Sequence, residues 1–347
     1  MNKKVLLGMS GGVDSSVSAV LLKERGYDVT GVTLNLFPCT SCCSYIDVKS
    51  LCRKIGVEHY ILDGKDDFKK YVIDDFIQSY DNCLTPNPCI ECNKYMKFGY
   101  MYEKAKELGC DYVATGHYAK VEYDEKYGKY VLRKSHAGRK DQSYVLWNIP
   151  KNMLEHVIFP LADFESKEKI REIAREHELP VANKPDSEDI CFIPDGDYKK
   201  FLEENSHIKP KPGNIILANG TVVGKHTGLY HYTIGQRKGL GISYKVPLFV
   251  IGFNKKNNEL IVGEEHELYK KEVTIKDINL LLVDDIYKPL RVSVKTRYSS
   301  KEAAATATQI DNNTIKIVFD EPQARITPGQ SAVMYIDDIV VGGGKII

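Results

Sequence analysis

No stretch of this 347-residue chain approaches the apolar length needed to cross a bilayer, and the apolar run behind Met1-Asn2-Lys3-Lys4 is too short for the core of an export signal. The expectation is a soluble, cytoplasmic protein. An excess of charge is missing too: 48 Lys and Arg against 47 Asp and Glu leave a formal net charge of +1. That balance does not exclude nucleic acid, because binding needs a basic face and not a basic total. Lys69-Lys70, Lys199-Lys200, Arg237-Lys238 and Lys295 with Arg297 are local clusters of that kind, although each also reads as an ordinary solvated surface. Internal repeats and low-complexity tracts are absent, which sets aside solenoids and linker arrays. What the chain does have is 43% hydrophobic residues, enough for two or three cores, and nine cysteines. Without an export signal, an odd number of cysteines points to thiols, metal ligands or catalytic groups and not to a disulfide framework.

The most informative segment is Gly8-Met9-Ser10-Gly11-Gly12-Val13-Asp14-Ser15, between the apolar run Val5-Leu6-Leu7 and an amphipathic segment. Paired glycines allow a sharp turn that aims backbone N–H groups and a helix N-terminus at phosphate oxygens, and Ser10 and Ser15 add hydroxyls. Asp14 is placed to steady Mg²⁺ on the same phosphates. No Gly-Lys-Ser/Thr ending follows, so the loop is not that of γ-phosphate-splitting NTPases. It looks like the ATP loop of pyrophosphatases, which implies cleavage between the α- and β-phosphates and adenylation of an oxygen.

Apolar runs at Val5 to Leu7, Val29 to Leu34, Tyr60 to Leu62 and Asp111 to Thr115 alternate with segments of helical period. That is the pattern of an α/β, doubly wound parallel sheet. Helices are expected at Val13 to Gly26, Ile46 to Ile55, Phe68 to Tyr80, Tyr95 to Leu108 and Lys167 to Glu176. Lys209-Pro210-Lys211-Pro212-Gly213 cannot continue a helix. The divisions placed on this pattern are 1–205 for a catalytic domain, 206–270 for a small Gly-rich central unit and 271–347 for a C-terminal β-barrel. In the barrel, Val292/Val294/Thr296 and Ile315/Ile317/Phe319 alternate as antiparallel strands.

Cys89-Ile90-Glu91-Cys92 precedes the helix expected from Lys94, so Cys92 is expected near a helix N-terminus, where the thiolate is favoured. Cys191 stands in Asp186-Ser187-Glu188-Asp189-Ile190-Cys191-Phe192-Ile193 and taken alone reads equally as a buried structural thiol. Three thiolates at 89, 92 and 191 would suit a [4Fe–4S] cluster with one open iron, or Zn²⁺ with a water or histidine. The rival reading leaves Cys89 a spectator. Cys39, Cys42 and Cys43 make a second Cys-x-x-Cys with nothing in sequence to pair with, while Cys52, Cys83 and Cys110 read as core.

Beyond the ATP loop, several motifs accumulate: Thr85-Pro86-Asn87-Pro88 with Cys92-Asn93-Lys94, Ala114-Thr115-Gly116-His117-Tyr118, Lys140-Asp141-Gln142-Ser143-Tyr144 and Cys191-Phe192-Ile193. Gly235-Gln236-Arg237-Lys238-Gly239-Leu240-Gly241, Lys295-Thr296-Arg297-Tyr298 and Thr327-Pro328-Gly329-Gln330-Ser331-Ala332 follow. On these the chain resembles, nearly end to end, the tRNA-specific 2-thiouridylases. The resemblance implies ATP-dependent replacement of the C2 oxygen of the tRNA wobble uridine by sulfur, on a fold of the adenine nucleotide alpha hydrolase type. It implies that Cys191 carries a persulfide taken from a cysteine desulfurase or a sulfur carrier, whereas free sulfide would serve the cluster reading, bound as hydrosulfide at the open iron. Cys92 then frees the sulfur as the two form a disulfide. Leu34 and Gly116 match positions bordering the adenosine. Asn87, Pro88, Cys89, His117, Lys140, Asp141, Gln142, Arg297, Tyr298 and Gln330 match positions that meet tRNA or its target base. Better-known members have aspartate at position 89, so Cys89 is a departure, and the cluster and persulfide readings both stay open.

Two other classes share parts of this pattern. Ligases that adenylate a carboxylate or a purine oxygen use the same ATP loop without needing the thiols, and a non-catalytic metal or redox module would use the cysteines alone. His117 suits acid–base work by its pKa but is expected to contact RNA. Asp186 and Asp189 read as turn residues, and among the 22 tyrosines only Tyr298 sits in a motif that assigns it a role.

Overall fold

The computed structural model describes residues 2–37, 45–185 and 190–347. The readings made above of Cys39, Cys42, Cys43, Asp186 and Asp189 lie outside the described residues. The N-terminal apolar run forms β1 (Lys4–Gly8), with Val5, Leu6 and Leu7 fully buried. A strand apolar on both faces belongs in the middle of a sheet covered on both sides. β1 lies there, paired in parallel with β2 (Asp28–Asn35), which pairs with β3 (Glu58–Asp63), and on its other side with β4 (Tyr112–Ala114). β5 (Ala119–Asp124) and β6 (Lys129–Lys134) leave this sheet as an antiparallel hairpin. The short β7 (Val157–Ile158) returns to it, giving the parallel order β3-β2-β1-β4-β7. Val5 and Leu7 point into one core with the helices Val13–Glu24, Tyr45–Ile55 and Lys167–Glu176, where Cys52 is also buried, and Leu6 points into a second core with Phe98, Met101 and Trp147. The sheet is therefore covered on both faces by helices, as the doubly wound pattern requires.

The helix expected from Phe68 is a continuous run of Lys65–Phe68, a π-type segment Lys69–Ile73 and Asp74–Asp81. The one expected from Tyr95 starts earlier. Pro88 occupies its first turn, where a missing N–H costs nothing and the fixed φ is already helical, and it runs as Pro88–Glu91, a π-type Cys92–Tyr100 and Met101–Glu107.

After the helix Tyr198–Asn205, capped by the Asp197 carboxylate, the chain enters β8 (Gly213–Leu217), β9 (Val222–His226), β10 (Phe249–Asn254) and β11 (Glu259–Gly263), ordered β10-β11-β8-β9. The remaining strands are β12 (Tyr269–Leu280), β13 (Leu290–Lys295), β14 (Ala303–Asp311), β15 (Thr314–Ala324), β16 (Ser331–Ile336) and β17 (Ile339–Ile346). β12 pairs with both β15 and β17, which closes six antiparallel strands into a barrel. Ile315, Ile317 and Phe319 fill its interior, and the β5–β6 hairpin abuts β17. Among the described residues no helix is long and apolar enough to cross a membrane.

Candidate active site

The glycine loop turns from β1 into the helix Val13–Glu24 with Gly11 at φ 73° and Gly12 as N-cap. Its shape is held from within. Ser10 N–H donates to Ser15 Oγ at 3.3 Å, the two hydroxyls are 3.2 Å apart, and Ser16 Oγ donates to the Gly12 carbonyl at 2.7 Å. Met9 and Val13 are buried and contribute backbone and not side chain to the loop. Two cations missed in the sequence meet the loop here: Lys167 Nζ lies 2.9 Å from Asp14 Oδ2, and Lys184 Nζ donates to the Gly11 carbonyl at 3.0 Å. The Tyr118 hydroxyl donates to Asp14 Oδ1 at 2.7 Å.

In the strand order the chain turns to opposite sides from β1, so the crevice at the carboxyl ends of β1 and β4 is where an open α/β sheet takes a ligand. Gly8 ends β1 there. Gly116, just past β4, is pressed against the loop: a Cβ on it would stand 2.9 Å from both Asp14 C and Ser15 N. Leu34, near the end of β2, is half-buried between two cores.

Cys92 and Cys191 are brought together. Cys92 shares a core with Phe192 and Ile193, and Phe192 is wedged edge-on against Phe68 and Phe76 at ring separations of 5.7 and 5.4 Å. This anchors the segment bearing Cys191 over the thiol helix, close enough for Cys92 and Cys89 to act on the Cys191 thiol electrostatically. Cys89 and Cys191 are exposed and Cys92 is buried. The expected lowering of the Cys92 pKa is corrected: burial pushes that thiol up, against the opposing pull of Lys97, and it stands a full turn inside the helix and not at its first residue. Crowding by protein, then Cys92 and Cys89, push Cys191 up as well.

His117 links this sulfur site to the loop. It follows Gly116, its Nδ1 lies 2.7 Å from Thr115 Oγ1, and its Nε2 lies 3.4 Å from Lys97 Nζ. Burial, and then Lys97, hold its pKa well below 6.5, so the ring is neutral. Lys97, whose charge acts on both thiols and on His117, carried no signal in the sequence beyond its place in a helix.

The residues matched to tRNA contacts divide. Asn87 is the N-cap of the thiol helix, followed by buried Pro88 and exposed Cys89. Lys140 ends a short turn and is exposed. Asp141 accepts from Ser135 N–H at 2.9 Å and Ser143 Oγ at 2.6 Å, and Gln142 Oε1 accepts from Tyr118 N–H at 2.9 Å. Tyr298 remains 39% exposed, with the Lys295 ammonium 5.6 Å from its ring and Tyr144 edge-on at 6.2 Å. Arg297 donates to the Ile234 carbonyl at 2.9 Å and to Thr327 Oγ1, tying the central unit to the barrel. Gln330 Nε2 donates to the Thr85 carbonyl at 2.9 Å.

The chain matches the family models described as tRNA methyl transferase HUP domain over residues 3–195, tRNA methyl transferase PRC-barrel domain over 199–264 and Aminomethyltransferase beta-barrel domain over 270–346. Full-length relatives carry a different label. The chain is 50% identical to the tRNA-specific 2-thiouridylase MnmA of Clostridioides difficile (strain 630), over 100% of its own length and 98% of that protein's. Against the proteins of the same name from Acetivibrio thermocellus and Clostridium beijerinckii the identities are 46% and 47%, each over at least 99% of both chains. Alike from end to end to these proteins, the chain belongs to the tRNA-specific 2-thiouridylase family.

Proposed function

We propose that this protein is a tRNA-uridine 2-sulfurtransferase that uses ATP to exchange the C2 oxygen of the wobble uridine for sulfur. The observation that carries the reading is the convergence of Cys92 and Cys191, 99 positions apart in sequence, at one end of a path that begins at the glycine loop. A carboxylate- or purine-adenylating ligase has no use for that pair. A passive redox module has no use for the loop.

The chemistry follows from the groups present. A uridine carbonyl oxygen is a poor leaving group, so O2 attacks the α-phosphorus of ATP and pyrophosphate departs across the loop from Gly8 to Ser15, where Lys167 and Lys184 offset its charge. Leu34 and Gly116 border the adenosine. Cys191, loaded as a persulfide by a sulfur donor, presents its outer sulfur. Cys92 thiolate attacks Cys191 Sγ, the S–S bond of the persulfide breaks, hydrosulfide attacks C2 and AMP leaves. The enzyme ends with a Cys92–Cys191 disulfide, which a thiol reductant returns to two thiols. Neutral His117 and Lys97 border this path and are placed to hold the uridine edge. A wobble base is already single-stranded, so drawing it in costs little. Asn87, Pro88, Cys89, Lys140 and Tyr298 supply the surface toward the anticodon arm, with residues 271–347 as the tRNA-holding unit. With tRNA as substrate the enzyme works in the cytoplasm.

Mg²⁺ on the phosphates would take Asp14 as its protein ligand, in exchange for Lys167, and would shield the charge that the attacking oxygen must approach. An iron–sulfur cluster fits less well. Cys89, Cys92 and Cys191 are neighbours, but among the described residues no three His, Cys, Asp or Glu side chains stand close enough together to hold a metal. The persulfide path is therefore the one adopted.

The test is nucleoside mass spectrometry of tRNA incubated with the enzyme, ATP, Mg²⁺ and either sulfide or a persulfide donor. The expected product is 2-thiouridine with equimolar AMP and pyrophosphate. Pyrophosphate release that needs no tRNA but follows a small amide acceptor would overturn the assignment. The two sulfur sources distinguish free sulfide from a protein donor.

A further inference from the structure

We infer that Lys345, on the last strand of the barrel, is a positioning residue for the thiol helix, acting through Glu91 between Cys89 and Cys92. Glu91 is only 5% exposed. A carboxylate so placed is costly unless a cation meets it. Lys345 Nζ lies 3.0 Å from Glu91 Oε1 and 3.3 Å from Asp75 Oδ1, so one barrel ammonium joins the start of the thiol helix to the helix Asp74–Asp81. Burial pulls the pKa of this lysine down, but Glu91 and then Asp75 more than offset it and hold the ammonium above its ordinary value.

The backbone beside it is fixed by the same part of the barrel. Thr85 N–H donates to the Pro328 carbonyl at 2.9 Å, and Gln330 Nε2 donates to the carbonyls of Thr85 and Pro86 at 2.9 and 3.3 Å. Gly329, at φ 91°, leaves no room for a side chain, since a Cβ would stand 2.7 Å from Thr85 N. The loop and the lysine form one unit, because Gly329 N–H donates to Ile346 O at 2.9 Å and Ile346 N–H donates to Gln330 O at 2.8 Å. The barrel therefore grips Thr85-Pro86 and neutralises Glu91, the two points that set where Cys89 and Cys92 stand. On this account it serves the sulfur-transfer step as well as RNA affinity. The inference rests on the thiolation reading for its rate measurement, but not for its thiol measurement.

The test compares wild type, Lys345→Met and Lys345→Met with Glu91→Gln in the full chain. The readouts are the single-turnover rate of tRNA thiolation, the tRNA Kd and the rate of iodoacetamide labelling at Cys92 mapped by peptide mass. Lys345→Met is expected to slow sulfur transfer about tenfold while tRNA Kd changes less than about twofold, and to label Cys92 several-fold faster. Adding Glu91→Gln, which removes the stranded charge, is expected to recover most of both effects, while the near-constant tRNA Kd separates a positioning role from a general loss of the fold. The inference is overturned if Lys345→Met leaves rate and labelling unchanged, if rate and tRNA affinity fall together, or if Glu91→Gln brings no recovery. Should the single variant not fold, the double variant decides: wild-type-like labelling supports the inference, and labelling raised several-fold in a folded chain overturns it. A wild type that thiolates no tRNA would refute the proposed function, and the labelling comparison would still judge the role of Lys345.

Discussion

Lys167 Nζ lies 2.9 Å from Asp14 Oδ2, so a helix that follows the sheet's last strand delivers a cation to the loop at the sheet's first turn. Lys184 does the same from just beyond that helix, donating to the Gly11 carbonyl at 3.0 Å. In the proposed reaction both ammonium groups offset the charge of the departing pyrophosphate. Replacing either lysine by methionine is expected to raise the ATP Kd about tenfold, ~1.4 kcal/mol, with tRNA affinity unchanged. Calorimetric titration with ATP checks this. An unchanged Kd in both variants would remove these lysines from the nucleotide site.

Gly116 tests how closely the loop must be approached. A methyl group there would press on Asp14 C and Ser15 N, both at 2.9 Å, and backbone atoms at the start of a helix cannot swing aside. Gly116→Ala is expected to lower stability by about 1–3 kcal/mol and to weaken ATP binding more than it weakens tRNA binding. Thermal unfolding with and without ATP measures both effects. The ATP-induced rise in Tm should shrink in the variant, and an undiminished rise would mean that the loop does not hold the nucleotide.

The loop itself was legible in the sequence because its parts are contiguous: Ser15 bonds to both Ser10 and Gly12 within a six-residue span. The alternation of strands and helices was legible for the same local reason, down to the limits of Lys167–Glu176. What could not be read were relations across the chain. Lys167 and Lys184 sit 153 and 173 positions from the atoms they meet, in segments that look like any solvated helix or turn. The Cys92 thiol shows the same limit. A helix start was visible and argued for a thiolate, but Phe192 and Phe68, which help to bury that core, come from elsewhere. Arg297 and Gln330 match RNA-contact positions, and they also hold Ile234, Thr327 and Thr85, contacts that no local pattern announced. A motif reports that a residue matters before it reports what the residue touches.

His117 gives a pH prediction with a definite sign. Burial and Lys97 depress its pKa, so the folded chain refuses a proton that the unfolded chain accepts below about pH 6.5. More protons bound by the unfolded state means stability that rises with pH. This contribution is intact above that pH and is lost as pH falls through it. Between pH 7 and pH 5 wild type is expected to lose more stability than His117→Asn, because the variant lacks this group while other histidines titrate equally in both. Denaturant unfolding at the two pH values measures the difference. Equal losses would show that the ring titrates normally and is not the neutral group proposed beside the uridine.

The three thiols separate the two sulfur chemistries. If Cys191 carries the persulfide and Cys92 releases it, Cys92→Ser and Cys191→Ser each remove the attacking or the carrying sulfur, and each is expected to lower thiolation by about a thousandfold or more. Tyr298 and the glycine loop are untouched in both variants, so tRNA binding and tRNA-dependent pyrophosphate release are expected to persist, which would show that adenylation precedes the sulfur step and does not need it. Cys89→Ala is the discriminating variant. Cys89 is exposed and close to Cys191, but the persulfide path gives it no bond to break. Its loss is expected to change the rate less than about threefold when a persulfide donor supplies the sulfur. A cluster bound by all three thiolates would instead lose a ligand. A Cys89→Ala protein as inactive as Cys92→Ser, assayed without oxygen, would overturn the persulfide path and make Cys89 a partner in the chemistry.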